Sequence, residues 1–193
     1  MTRIVAGQAK GRTLAVPAKG TRPTSERVRE ALFSRLDHMG LLDGTTVLDL
    51  YAGSGALGLE AASRGAAHVD LVERAKPAAQ IIRANAKSTG LAATAHVHVA
   101  DARAFLQSRT EYPTWDLVLV DPPYDLSEDD LSAVLAELTP RLTADALVVV
   151  ERSKRSPEPA WPDGLVGEGV RKHGETVLWE AGPPAAEPDS PSN

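Results

Sequence analysis

From residue 46 onward, short apolar runs alternate with stretches that have the composition of helices, and this alternation most strongly constrains the fold. Five apolar runs occur, at residues 47–50, 68–72, 95–99, 116–120 and 146–150. Four stretches between them are suited to helices, at residues 56–64, 77–88, 102–108 and 127–138. Strands that alternate with helices form parallel sheets, and continuous apolar runs are typical of strands covered on both faces. The sequence therefore predicts an α/β fold with a mainly parallel sheet and helices on both faces.

Segments at the two ends of the chain complete this predicted architecture. Residues 170–171 and 176–179 are expected to form an antiparallel hairpin, which brings the sheet to seven strands. Residues 4–5 and 13–16 flank a Gly-rich turn and predict a small N-terminal hairpin, which a helix capped by Ser25 follows. We expect three parts: a basic N-terminal extension at 1–40, a main domain at 41–180 and a disordered, Pro-rich tail at 181–193.

Charge is distributed unevenly along the chain. The net charge is −5, which at face value argues against a nucleic-acid partner. Residues 1–35, however, carry eight basic and two acidic side chains, whereas the rest of the chain carries a charge of −11. A basic arm on an acidic body is expected when one face meets phosphates, although such an arm could equally dock on its own body. The side chains predicted to bind nucleic acid are Arg3, Lys10, Arg12, Arg22, Arg27 and Arg29.

Composition excludes several classes of protein. The chain has no cysteine, which rules out disulfides, zinc–thiolate sites and a cysteine nucleophile. No apolar run approaches the ~20 residues of a membrane-spanning helix, and the N-terminus lacks the apolar segment of a secretory signal. We expect a cytoplasmic monomer with no membrane partner. We also expect no metal site, because an alternating pair such as His96 and His98 is typical of ordinary strand surface.

A glycine-rich loop joins the first run to the helical stretch after it. Gly53 and Gly55 permit a tight turn and let the backbone approach a ligand, while Gly58 allows close packing of helix on strand. A strand, glycine loop and helix in this order predict a site for a cofactor that contains adenosine. The loop alone does not choose between a dinucleotide and S-adenosylmethionine.

Three successive runs end in acidic residues, namely Asp49, Glu73 and Asp101. Glu73 can accept hydrogen bonds from two ribose hydroxyls and Asp101 can reach an adenine amine, although an acid at a strand end is also a common helix N-cap. Three carboxylates suit the ammonium group of S-adenosylmethionine and would repel the pyrophosphate of a dinucleotide. The residues predicted to bind the cofactor are Asp49, Tyr51, Gly53, Ser54, Gly55, Gly58, Glu73, Asp101 and Ala102.

The sequence Asp-Pro-Pro-Tyr at residues 121–124 carries the predicted chemistry. The Asp121 carboxylate and the Pro122 carbonyl can each accept one N–H of an exocyclic base amine, which aims the nitrogen lone pair at a methyl group. Pro123 has no N–H to compete and restricts the backbone before it, and Tyr124 can stack on a flipped-out base. These four residues predict direct in-line transfer of a methyl group to nitrogen, in which the protein mainly positions the reactants.

These motifs resemble the amino-methyltransferases of the class I, Rossmann-like S-adenosylmethionine fold, and specifically the RsmD family. The resemblance runs from about Arg3 to Trp179. Its narrowest parts are residues 3–12 and 21–33, whereas the glycine loop and residues 121–124 are shared with nitrogen methyltransferases in general. Two departures are modest: Tyr124 stands where some members have Phe, and Ala6 stands where a second glycine is usual.

The resemblance implies a 16S rRNA (guanine-N2)-methyltransferase of the guanine-966 type. It implies that residues 53–58, Glu73 and Asp101 hold S-adenosylmethionine and that residues 121–124 hold the base. It also places residues 21–33 beside the cofactor, so that Arg22, Thr24 and Arg27 would order the pocket as well as contact RNA; Thr24 therefore joins the predicted cofactor-binding set. The implied partner is 16S rRNA, within the 30S subunit or an assembly intermediate.

Three alternatives remain open at this point. An adenine-N6 methyltransferase acting on DNA or RNA would use the same Asp-Pro-Pro-Tyr motif, although the chain has no separate target-recognition domain. A non-catalytic ribosome-assembly factor would bind RNA through residues 1–35 and keep the cofactor fold as a scaffold. An NAD-linked oxidoreductase is disfavoured, because no substrate domain follows the strand–helix repeats.

Overall fold

The computed structural model of the chain describes residues 2–17, 25–109 and 115–185. At its N-terminus β1 (Thr2–Arg3) pairs antiparallel with β2 (Thr13–Leu14). The predicted hairpin is present, but its first strand lies two residues before the predicted 4–5. Helix α1 (Glu26–His38) begins after Ser25, whose Oγ accepts the Val28 N–H at 3.2 Å, as the capping pattern predicted.

Seven strands form the central sheet. They are β3 (Thr46–Leu50), β4 (His68–Glu73), β5 (Ala95–Val99), β6 (Trp115–Val120), β7 (Leu142–Ser153), β8 (Val166–His173) and β9 (Thr176–Gly182). Their order across the sheet is β5-β4-β3-β6-β7-β9-β8. Neighbours from β5 to β7 are parallel, whereas β9 is antiparallel to both β7 and β8. The strand order therefore reverses between β3 and β6, where open α/β sheets leave a crevice at their carboxyl ends.

Helices cover both faces of this sheet. They are α2 (Ala56–Ser63), α3 (Lys76–Thr89), α4 (Ala102–Gln107) and α5 (Glu128–Leu138), with a short 3₁₀ helix at Thr139–Arg141. Apolar side chains of α1, α2 and α3 form one buried cluster with the sheet, and the N-terminal residues Ile4 and Leu14 belong to it. Side chains of α4 and α5 form the second cluster on the opposite face. The predicted α/β fold with a seven-stranded sheet is confirmed.

The C-terminal boundary differs from the prediction. Ala181 and Gly182, which composition assigns to the disordered tail, are the last residues of β9 and are both buried. Ala181 pairs with Val148 of β7 and with Gly167 of β8. A Cβ at position 182 would lie 2.9 Å from the Ala146 carbonyl oxygen, so the strand is too crowded there for a larger residue. The small residues that made this segment resemble a tail are therefore required by its packing. Residues 186–193 lie outside the described part of the chain.

The described residues hold neither a candidate membrane span nor a candidate metal site. Across 2–17, 25–109 and 115–185, the helices are all too short or too polar to cross a lipid bilayer. The same ranges contain no group of three or more His, Cys, Asp or Glu side chains placed to hold a metal ion.

Candidate active site

A cavity of about 530 Å³ opens at the carboxyl ends of β3, β4 and β6, where the strand order reverses. Its wall includes these predicted site residues: Asp49, Tyr51, Gly53, Ser54, Glu73, Asp101, Ala102, Asp121, Pro122, Pro123 and Tyr124. Parallel strands bring their carboxyl ends to one edge, which explains how residues more than seventy positions apart share this wall. Seven of the predicted cofactor residues and the Asp-Pro-Pro-Tyr loop therefore face a single cavity.

Asp49 is a buried acid at the base of this cavity. Its Oδ2 accepts the Gly58 backbone N–H at 2.8 Å. Its Oδ1 is also buried and has no hydrogen-bond partner among the described residues. Burial raises the pKa of Asp49 to about 8; the Gly58 hydrogen bond opposes this rise, whereas the charges of Asp121 and Glu73 add to it. A cation brought to the cavity would satisfy the unpaired oxygen and stabilise the ionised carboxylate.

Glu73 ties the glycine loop to the end of β4. Its Oε2 accepts the Gly53 N–H at 3.0 Å, and its Oε1 accepts the Ala75 N–H at 2.7 Å. A carboxylate offers about four acceptor positions, so two remain after these bonds. Glu73 can thus hold the loop in place and still accept hydrogen bonds from a ligand in the cavity.

Tyr51 has the only positive φ among the non-glycine residues that the structure describes, at 65°. This backbone conformation is uncommon outside glycine, and surrounding structure must hold it in place. The Tyr51 side chain is partly buried, and burial, followed by the charges of Asp101 and Asp130, raises its pKa to about 12. Tyr51 therefore contributes a neutral phenol to the wall, between β3 and the glycine loop.

Asp101 is a helix N-cap that also faces the cavity. Its Oδ1 accepts the backbone N–H groups of Arg103 at 3.0 Å and Ala104 at 3.2 Å, so it is the N-cap of α4. It also lines the cavity. An N-cap bond fixes the carboxylate in one orientation, and contact with an adenine amine stays a prediction.

Gly55 and Gly58 pack closely against neighbouring side chains, and their contact with a cofactor stays a prediction. Gly55 precedes α2 with a φ of +79°, and a Cβ there would lie 2.9 Å from Ile82 Cγ2. A Cβ on Gly58 would lie 2.7 Å from Leu71 Cδ2. Both glycines thus let α2 pack closely on its neighbours, the structural role that the sequence predicted for Gly58.

The Asp-Pro-Pro-Tyr loop follows β6 directly. Asp121 is partly buried and Pro122 is buried, whereas Pro123 is exposed and Tyr124 is 71% exposed. An aromatic ring so exposed on the cavity rim leaves a large apolar surface open to a planar partner. Asp121 is close enough to Asp49 for its charge to raise the pKa of that buried acid. The loop therefore joins an acceptor inside the cavity to a stacking surface at its mouth.

The side chains predicted to bind nucleic acid divide into three groups. The first group is exposed or partly exposed and comprises Arg3, Lys10, Arg12 and Arg27. Within it, Arg3 forms an ion pair of 2.7 Å with Glu26.

Arg29 is buried, so its assignment to nucleic-acid binding is wrong. Its guanidinium donates to the Arg3 carbonyl oxygen and lies 3.8 Å from Glu60 Oε2. Arg22 and Thr24 lie outside the described residues.

Several wall residues were not predicted from the sequence. They are Pro17, Ala52, Val72, Arg74, Ala75, Ala78, Ala100 and Asp125. Most are next to a predicted residue in the sequence, as Arg74 is next to Glu73, and they could have been predicted by including the neighbours of each predicted residue. Pro17 is different, since only the packing of the N-terminal segment brings it to the cavity.

Comparison with known proteins identifies the family. The sequence model of a family described as conserved hypothetical protein 95 matches residues 2–181. The chain is 39% identical over 162 residues to the ribosomal RNA small subunit methyltransferase D of Escherichia coli strain K12, which covers 83% of this chain and 79% of that protein. The chain belongs to the RsmD family. Membership of the RsmD family confirms that the chain is a methyltransferase.

Solved structures share the fold of this RsmD-family chain. A hypothetical protein of Thermus thermophilus superposes with a TM-score of 0.80 at 34% identity, over 93% of this chain and 98% of that one. The protein SMU.776, which was crystallised with SAH, superposes with a TM-score of 0.68 at 17% identity, over 84% of this chain and 50% of that one. This second likeness shows the fold alone. Together they confirm the predicted class I methyltransferase architecture.

Proposed function

We propose that this RsmD-family protein transfers the methyl group of S-adenosylmethionine to the exocyclic N2 amine of a guanine in small-subunit rRNA, at a site of the guanine-966 type. The observation that carries the proposal is one cavity that joins Asp49, with its unpaired buried Oδ1, to the Asp-Pro-Pro-Tyr loop. The similarity to the Escherichia coli small-subunit methyltransferase supports the choice of RNA.

The acids of the cavity fit the proposed cofactor. The unpaired Oδ1 of Asp49 suits an ammonium group, and the remaining acceptor positions of Glu73 suit two ribose hydroxyls. Asp101 would accept from the adenine amine. When bound, the cofactor supplies an electrophilic methyl group on a sulfonium sulfur. The pyrophosphate of a dinucleotide would meet the carboxylates of Glu73 and Asp101 and would not stabilise the ionised form of Asp49, which supports the exclusion of NAD.

Residues 121–124 would hold the base. The amine of guanine is a poor nucleophile, since its lone pair is delocalised into the ring. Acceptance of its two N–H groups by the Asp121 carboxylate and the Pro122 carbonyl would localise that lone pair, and stacking on Tyr124 would fix the ring plane. The amine nitrogen would then bond to the methyl carbon that the bound cofactor supplies, while the carbon–sulfur bond would break with its electron pair left on sulfur. The surplus proton leaves the nitrogen for Asp121 or for water.

The exposed cations of the N-terminal region support an RNA partner. Arg3, Lys10, Arg12 and Arg27 lie on the hairpin and at the start of α1, and phosphate contacts of this kind position a substrate without reading its sequence. We infer that the substrate is 16S rRNA within the 30S subunit or an assembly intermediate, and that the protein acts in the cytoplasm as a monomer.

Methyl transfer to defined substrates tests this proposal. Radiolabelled S-adenosylmethionine is supplied with 30S particles from a strain that lacks the modification, with free 16S rRNA and with duplex DNA, and the labelled nucleosides are identified after digestion. The proposal predicts N2-methylguanosine from the unmodified 30S particles, and no label on matched particles that already carry the modification. Formation of N6-methyladenosine would be consistent with the role proposed for the catalytic loop but would show that the methylated base is adenine and not guanine. An absence of label on every substrate, despite cofactor binding, would favour the non-catalytic assembly factor.

A further inference from the structure

Strands β7, β9 and β8 extend beyond the level at which the Asp-Pro-Pro-Tyr loop begins. Val120, the last residue of β6, is level with Val150 of β7, and Val150 is level with Trp179 of β9. β7 continues to Ser153, which pairs with Thr176, and Thr176 pairs with His173 of β8. Each of these strands has three further residues of about 3.3 Å, so the strands extend roughly 10 Å past the end of β6. We call this extension, with the adjoining turns at 154–156 and 174–175, the C-terminal wall.

The C-terminal wall is rich in exposed cations. Its exposed basic side chains are Lys154, Arg155, Arg171 and Lys172. Lys154 is paired with Glu175, and the Arg171 Nε lies 3.5 Å from Glu180 Oε1. Within residues 2–17, 25–109 and 115–185, neither Arg155 nor Lys172 forms an ion pair. Two cations on the wall are therefore available to an anionic partner.

The wall lies to one side of the catalytic loop, on the strands that follow β6 in the sheet. Three strand spacings separate β6 from β8, which at about 4.8 Å each amount to roughly 14 Å. The N-terminal segment contacts α3, where the Ala15 N–H donates to Asn85 Oδ1 at 2.9 Å. An RNA strand that delivers a base to Asp121 would thus come within reach of the wall and its cations.

We infer that Arg155 and Lys172 bind backbone phosphates of the RNA substrate beside the flipped base, so that the C-terminal wall is a second RNA contact. The inference rests on the proposed function, since it takes RNA as the substrate. The wall contact is independent of base identity, because Lys and Arg contacts to phosphate carry no sequence information. A competing explanation is that these cations protect the exposed edge of β8 from pairing with another strand.

Salt-dependent RNA binding tests the C-terminal wall. The double variant Arg155→Gln/Lys172→Gln is compared with wild type for binding to unmodified 16S rRNA over a series of salt concentrations. Loss of two phosphate contacts reduces the slope of log K against log salt by about 1.4 to 1.8. The KM for RNA rises, whereas kcat at saturating RNA and the affinity for S-adenosylmethionine do not change. The matched control is Lys87→Gln, in the last turn of α3, which lies at the opposite edge of the sheet.

The outcomes separate this inference from the proposed function. If wild type methylates RNA and the double variant keeps the wild-type slope, the wall inference alone is overturned. If the double variant keeps the wild-type salt dependence of RNA binding but self-associates, the two cations protect the β8 edge. This result also overturns the inference. If wild type binds RNA without methyl transfer, the proposed function fails, while a reduced slope in the double variant still supports the wall contact.

Discussion

The Gly58 backbone N–H donates a hydrogen bond of 2.8 Å to Asp49 Oδ2, and this bond joins the first turn of α2 to the end of β3. It satisfies one oxygen of a buried carboxyl group and leaves Oδ1 without a partner among the described residues. The helix N-terminus that receives this acid also favours negative charge. The resulting site holds an acid ready to ionise against a cation and fixes it beside the glycine loop.

The stability of the protein is expected to depend on pH through Asp49. Its pKa rises from 3.8 unfolded to about 8 folded, so the folded state binds more protons between these two values. The Asp49 contribution to the free energy of unfolding therefore falls as pH rises from about 4 to 8, by at most about 1.4 kcal/mol per pH unit, and is constant above that range. Urea denaturation of wild type and Asp49→Asn at several pH values measures the difference. A difference that does not change with pH would contradict the assignment.

Gly58→Ala is expected to destabilise the fold. The added Cβ would lie 2.7 Å from Leu71 Cδ2 and 3.1 Å from Asp49 Oδ2, so either the buried Leu71 side chain or α2 must shift. Overpacking of this kind costs about 1–3 kcal/mol. Thermal or urea denaturation measures the loss, with Gly169→Ala as the control, since its nearest neighbour atom is 3.4 Å from the added Cβ. Equal stability of the two variants would show that Gly58 does not set the helix–strand distance.

The same substitution at Arg27 and at Arg29 is expected to change different properties, namely RNA affinity at Arg27 and folding stability at Arg29. Arg29→Met removes a buried partner of Glu60 and is expected to cost about 2–4 kcal/mol of stability. The cost is not larger because Glu60 keeps its ion pair with Arg64. Arg27→Met affects a side chain at the surface and is expected to weaken RNA binding without changing stability. Denaturation and RNA-binding measurements on both variants separate the two roles. Weaker RNA binding by a fully folded Arg29→Met protein would restore Arg29 to the interface.

Tyr124 is expected to act on the base through its ring rather than its hydroxyl group. Tyr124→Phe keeps the stacking surface and is expected to methylate RNA at close to the wild-type rate. Tyr124→Ala loses the stack, which corresponds to a fall in kcat/KM of roughly 10-fold to 100-fold. Its folding should be unaffected, because the side chain is 71% exposed. Wild-type activity of Tyr124→Ala would show that the base stacks elsewhere.

The sequence predicts the features that depend on local pattern and on the rule that parallel strands end at one edge. That rule alone places Asp49, Glu73 and Asp121 together, and all three line a single cavity. The features that the sequence does not predict depend on three-dimensional packing. A charge count cannot show that Arg29 faces the buried Glu60, and composition cannot distinguish the crowded end of β9 at Ala181 from a tail.

Strand register is also inaccessible to local pattern. The apolar run at 146–150 marks only the central part of β7, whereas the strand runs from Leu142 to Ser153. The polar residues Glu151, Arg152 and Ser153 at its C-terminal end pair with β9, and only the neighbouring strand specifies that pairing. The C-terminal wall could therefore not be predicted, although its cations are plain in the sequence.

The reaction assigned to the Asp-Pro-Pro-Tyr loop is tested most directly by single-turnover methyl transfer with wild type and Asp121→Ala. Cofactor is bound first, and its dissociation constant is measured for both proteins before unmodified 30S particles are added. We predict that Asp121→Ala keeps its affinity for S-adenosylmethionine and that its rate of N2-methylguanosine formation falls by at least about 100-fold. A variant that binds cofactor and keeps most of the wild-type rate would show that the loop does not hold the reacting amine.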